Sequence, residues 1–183
     1  MLRIEKMEVI YNHCMNSKSK NPVDLMDEMF DEELISMHGP EHHILVGSSI
    51  IAAYKNAGGE LDLESALLEM RKRGSEYPGG SCGLWGACGA AISVGMAMSI
   101  ITETGPLSRE HWGDNNITTA NSLMEIGKIG GPRCCKRNSY TAVKNAVGFI
   151  NEHYGVEMEG RDNIKCTYYP NNSHCLKENC PYY

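Results

Sequence analysis

Seven of the eight cysteines in this 183-residue chain fall into three groups, and sulfur at such spacings can hold a metal or exchange disulfides. In PGGSCGLWGACGA, Cys82 and Cys88 stand among glycines. Gly80 and Gly83 let backbone N–H groups approach a bulky inorganic centre and point at sulfur, which makes both candidate cofactor contacts. Five intervening residues fit no standard zinc knuckle. The plainer alternative is a loop running into a tightly packed helix. In GGPRCCKR, Pro132 near a helix start puts Cys134 and Cys135 in the first turn. There the positive end of the macrodipole, with Arg133, Lys136 and Arg137, is expected to lower the thiol pKa below its free value of ~8.5. Cys134 and Cys135 are therefore candidate catalytic residues as well as ligands, with Arg133 and Arg137 as cofactor contacts. Packed sulfurs at a solvated helix end are the alternative.

The third group is KCTYYPNNSHCLKENCPYY, where Cys166, Cys175 and Cys180 have His174 as a fourth donor. A segment too short for its own core gains folding free energy from a metal, and zinc held by three cysteines and a histidine is one solution. A disulfide or free thiols are the alternatives. Cys180 is followed by Pro181, as in ferredoxin-type cluster segments. In MHGPEHH, His38, His42 and His43 sit near a helix start that holds imidazole neutral, which suits His42 or His43 as a ligand or catalytic group. Neighbouring helical side chains point ~100° apart, so one of that pair faces any given centre. Cys14 reads as a small buried hydrophobe.

The elements that must position these groups are helical. Residues 1–21 read as an N-terminal arm, a short strand with a loop. From Pro22, apolar residues recur at three and four until Gly39 and Pro40 stop the helix. Pro40 starts the next, which is apolar on much of its surface, central in the core, and ends at Gly58 and Gly59. Asp62 caps a third helix running through Arg73 and closed by Gly74. Leu84 to Thr102 reads as a helix whose glycines each cost ~1 kcal/mol against alanine, so close backbone approach is expected there. Further helices cover Asn116 to Ile129 and Arg133 to Tyr154. The expected fold is mainly α: a bundle of five or six helices in residues 22–154, with an irregular Cys-rich tail at 155–183.

A formal net charge of −6 argues against a nucleic-acid backbone as partner. The longest apolar run, Ala87 to Ile101, is shorter than the ~20 residues a bilayer crossing needs. Met1 to Ser17 lacks a basic start followed by an apolar stretch, so the expected location is the reducing cytoplasm, where paired cysteines favour metal or redox chemistry. The sequence carries no Walker loop, HExxH, strand-borne GxGxxG or radical-SAM CxxxCxxC.

The strings MHGPEHHILVG, PGGSCGLWGACGA and GGPRCCKR together resemble an uncharacterised family of cysteine-rich domains, over about Pro22 to Cys180. The resemblance implies an anaerobic setting and a chain that stands alone or beside radical-SAM and methyltransferase proteins. CGACGAAISVG with the later cysteine pair is also similar to redox-active proteins named for a C-GCAxxG-C-C pattern. The leading expectation is that Cys82, Cys88, Cys134 and Cys135 converge on one iron–sulfur cluster or related thiolate-metal centre. Its function would be electron or sulfur transfer for a partner redox, methyltransferase or radical-SAM enzyme. A metal-free dithiol oxidoreductase and a zinc-bound scaffold are the alternatives.

Overall fold

Met7, Ile10, Tyr11 and Cys14 recur at helical spacing, and this stripe, rather than the brief alternation around it, decides the local structure. The computed structural model describes residues 3–32 and 34–183, and the first helix, α1, runs over Arg3–Asn16 with Ile10 and Cys14 fully buried. The expected N-terminal arm is therefore largely a helix; Met1 and Leu2 lie outside the described residues. Burial pushes the Cys14 thiol up to about 12, as suits a thiol used for packing.

The second helix, α2, covers Pro22–Asp31, with the Asn21 side chain accepting from the Val23 N–H. It stops well before Gly39, because the Leu34 N–H turns back to the Met29 carbonyl and Ile35 is folded into the core. The freed segment is pinned by Glu41, whose carboxylate accepts from the Ser36 N–H at 3.2 Å and from Lys6 Nζ at 2.7 Å. Helix α3, His42–Asn56, is buried almost all round and packs against α1, α2 and α4 (Leu63–Glu76). Asp62 Oδ1 caps α4 by accepting from the Ser65 N–H at 2.8 Å. Gly74 does not close α4. It lies inside the helix, where an added Cβ would stand 2.9 Å from the His43 carbonyl oxygen, so its lack of a side chain lets α4 press on the start of α3.

The helix expected from Leu84 to Thr102 begins only at Gly89, as α6, Gly89–Ile101, and a one-turn α5, Ser81–Leu84, forms in the stretch before it. Cys88 is the N-cap of α6. Helix α7, Trp112–Ile129, lies against α6 and α8, Cys135–His153. Its only buried residues are Thr118 and Ser122, and Asn145 of α8 reaches the Thr118 carbonyl at 3.1 Å and Ser122 Oγ at 2.9 Å. Among the described residues there are eight helices rather than five or six, and no strand.

From Gly155 onward the chain makes only two 3₁₀ turns, at residues 169–171 and 177–179. It is held by side chains instead. Arg161 reaches both Asp24 and Asp27, the Tyr168 hydroxyl donates to Asp31, and the Tyr182 hydroxyl lies 3.0 Å from Thr141 Oγ1. Among the described residues no helix is long and apolar enough to cross a membrane.

Candidate functional site

Cys134 and Cys135 are adjacent, yet the fold sends them to different places. Cys134 is the extended N-cap of α8, with φ −138° and ψ 109°, and Cys135 is the first helical residue. Only Cys135 lines the cavity that also receives Cys82 and Cys88; Cys134 lies toward the tail, within electrostatic reach of Cys175 and Cys180. The four sulfurs expected to share one centre thus divide three to one.

The cavity measures about 270 Å³ and is bounded by His38, His42, His43, Gly80, Arg133 and Asn138 as well as the three cysteines. A single water needs only ~10–15 Å³ of such space, so the cavity suits a group rather than an atom. Three helix N-termini border it: His42 and His43 open α3, Cys88 caps α6 with Gly89 first in the helix, and Cys135 opens α8. The positive ends of three macrodipoles meet there, which favours an anionic occupant. Among the described residues no group of three or more His, Cys, Asp or Glu stands where it would hold one metal ion.

Asn138 Nδ2 donates to Cys88 Sγ at 3.3 Å, so a neutral donor already faces one sulfur. Burial pushes the Cys135 thiol up to about 11, and the Gly39 N–H and Arg133 only partly oppose it. Cys134 is also raised, again by burial first, against the Arg137 backbone and guanidinium. The thiolate activation expected from position in the chain is therefore outweighed by desolvation.

His42 and His43 both border the cavity but differ in use. His42 is fully buried; its Nε2 lies 2.9 Å from the Ser36 carbonyl and its Nδ1 3.0 Å from Ser139 Oγ. A carbonyl can only accept, so Nε2 carries the proton, and both nitrogens serve as struts. Burial lowers the His42 pKa to about 4, so it is neutral at physiological pH. His43 Nδ1 lies 3.2 Å from the Tyr77 carbonyl, which places the proton there and the lone pair on Nε2, the edge that faces Gly89. His38 sets its Nε2 3.4 Å from Asn172 Oδ1 of the tail, while its buried Nδ1 has no protein partner.

A Cβ on Gly89 would stand 2.1 Å from His43 Cδ2 and 2.2 Å from Nε2. The ring cannot easily yield, since Tyr77 holds it through its carbonyl and through an edge contact at 5.1 Å between centroids. Gly89→Ala should lower the unfolding free energy by about 1–3 kcal/mol despite a helix-propensity gain of ~1 kcal/mol. Urea unfolding checks this; an unchanged midpoint would show that the ring is loosely held.

Arg137 is buried and spends its guanidinium on the Gly130 and Pro132 carbonyls at 2.8 and 3.0 Å. Gly83 and Arg137 border a second, more open cavity of about 350 Å³, which shares Cys82, Cys88 and the exposed Arg133 with the first. Cys166, Cys175, Cys180 and His174 lie outside both cavities. Sequence reasoning missed Asn138 and Tyr77, and took Lys136 only as a charge beside the thiols. Lys136 follows the cysteine pair, and its ammonium sits 3.9 Å from the Phe30 ring centroid and 3.8 Å from that of Tyr168. Nothing in its spacing announced that burial.

Neither the curated proteins nor the solved structures contain a match to this chain. One family model does match, over residues 10–183, a span that takes in the whole cavity and the tail, and its description is "Family of unknown function (DUF5714)". The chain belongs to that family.

Proposed function

We propose that the cavity of Cys82, Cys88 and Cys135 holds an anionic thiolate-bound centre, an iron–sulfur cluster or a close relative, used in electron or sulfur transfer for a partner enzyme. The observation that carries this reading is the meeting of three thiols and three helix N-termini at one group-sized cavity. Thiolates are the soft ligands such centres require, and the flanking backbone N–H groups would tune the potential. His38 Nδ1, buried without a protein partner, is a nitrogen donor at the rim. Beside the thiols, Leu84 and Trp85 are 80% and 66% exposed, which supports docking of a partner such as a redox, methyltransferase or radical-SAM protein. A metal-free dithiol exchange would need a thiolate at Cys134 or Cys135, and burial works against it.

Protein purified without oxygen should be brown, with iron and acid-labile sulfide. Cys82→Ala, Cys88→Ala and Cys135→Ala should each remove most of the colour, whereas Cys175→Ala should keep it. Colourless wild-type protein, or colour indifferent to Cys88→Ala and Cys135→Ala, would defeat the proposal.

A further inference from the structure

A separate cavity of about 450 Å³ shares no wall residue with the thiol cavity. It lies where the end of α2, the loop at Ser36 and Met37, the start of α8 and the first 3₁₀ turn of the tail come together. One wall residue is Lys136, whose side chain folds inward until the residue is only 3% exposed. Its ammonium lies 3.9 Å from the Phe30 ring centroid and 3.8 Å from that of Tyr168. Both rings line the cavity, so the charged end of the side chain stands at its wall. Among the described residues no hydrogen bond or ion pair reaches that ammonium. A buried charge is costly unless an acceptor meets it, and two ring faces offset part of the cost without giving an oxygen to any of its three N–H groups.

We propose that this cavity binds a small apolar molecule bearing one carboxylate, with the carboxylate on Lys136. Ile35 and Met37 join the two rings in an apolar wall, and the volume falls within the roughly 300–1,000 Å³ of small-molecule sites. Ser36 adds a donor. Its Oγ accepts from Lys6 Nζ, which leaves its own hydroxyl hydrogen to give, and no acceptor among the described residues takes it. Lys136 is the second residue of α8, so the positive end of that helix adds to the attraction for an anion.

The charge of the ligand is limited by Asp31. Its carboxylate lines the same cavity, accepts from the Tyr168 hydroxyl and makes no ion pair with Lys136. One cation beside one carboxylate leaves no surplus positive charge, so a phosphate dianion is repelled where a single carboxylate is still held by the desolvated ammonium. The rings and the aliphatic residues then contact the apolar body, which an inorganic anion lacks.

The test titrates phenylacetate into the full chain by calorimetry and follows the Met37 methyl signal by NMR, assigned through Met37→Leu. Phenylacetate should bind at one site and shift that signal. Phenylacetamide, of the same shape without the charge, should bind at least about 10-fold more weakly, and inorganic phosphate should leave the signal in place. Lys136→Met keeps the length of the side chain and removes the charge, so it should bring phenylacetate down to the level of the amide. Asp31→Asn can still accept from Tyr168 and should tighten phenylacetate by about 2–5-fold, which tests the site with Lys136 present. Failure of phenylacetate to bind or to move Met37, equal affinity for acid and amide, phosphate binding as tight as phenylacetate, tight binding retained in Lys136→Met, or loss of affinity in Asp31→Asn would each overturn the site. None of these readouts depends on what the thiol cavity holds.

Discussion

Replacing Phe30 by alanine should lower the unfolding free energy by about 3–5 kcal/mol, the range for deleting a buried aromatic ring. Phe30 is almost fully buried at the C-terminal end of α2 and touches four groups. Its ring lies 5.7 Å from that of His42, 5.9 Å from Tyr140 and 5.6 Å from Tyr168, and the Lys136 ammonium sits 3.9 Å from its centroid. Truncation opens a cavity between α2, α3 and α8 and strips one face from a buried ammonium, whose interaction with an aromatic is worth about 2 kcal/mol when desolvated. Phe30→Leu keeps most of the volume but not the charge interaction, so it should fall between wild type and alanine. Equal losses for the two variants in urea unfolding would mean that packing alone accounts for the effect; a loss below about 1 kcal/mol for alanine would show that the ring is dispensable.

The second large effect is acid destabilisation through His42. In the unfolded chain a histidine titrates near 6.5, and in the fold burial lowers His42 to about 4, with Lys136 and His43 adding to the fall and Glu41 opposing it. Between those values the unfolded state binds the proton and the folded state does not. The stability is therefore fully present above pH 6.5 and is lost as pH falls toward 4, by up to roughly 3 kcal/mol. His38, also lowered chiefly by burial, contributes in the same direction. Urea midpoints measured from pH 7.5 to 4 should decline through this window. His42→Gln should flatten most of the slope while lowering stability at pH 7.5, because it disturbs the bonds to Ser36 and Ser139. A slope unchanged in that variant would assign the acid sensitivity to other groups.

These two effects meet at the same place, the contact of α2, α3 and α8 beneath the cavity. The His42 wall of the candidate site is thus built on the core, while His38, Gly80 and Arg133 line it from loops. His42 orients the start of α3 against the Cys135 turn of α8, since Ser139 Oγ faces both its ring and, at 2.8 Å, the Cys135 carbonyl. A change that loosens Phe30 or charges His42 should disturb the cavity thiols before the chain unfolds.

By itself the sequence determined the helical class, the apolar helix after Pro40 as the centre of the core, the Asp62 cap, and the residue types of the site. Each of these is local: a period, a cap or a glycine next to a cysteine acts within a few residues, and the fold had no cause to override it. The α1 stripe of Met7, Ile10, Tyr11 and Cys14 was equally legible but competed with a short alternation, and burial against α3 and α4 resolved it. Tertiary structure alone decided which sulfurs meet. The extended N-cap of α8 keeps Cys134 out of the cavity that Cys135 lines, and a tail with almost no pattern of its own returns to α8 through Tyr182 and Thr141. It also decided that His42 is a strut and that the paired thiols are raised rather than lowered. Both follow from desolvation, which depends on what the whole chain packs around a group and cannot be read from its neighbours in sequence.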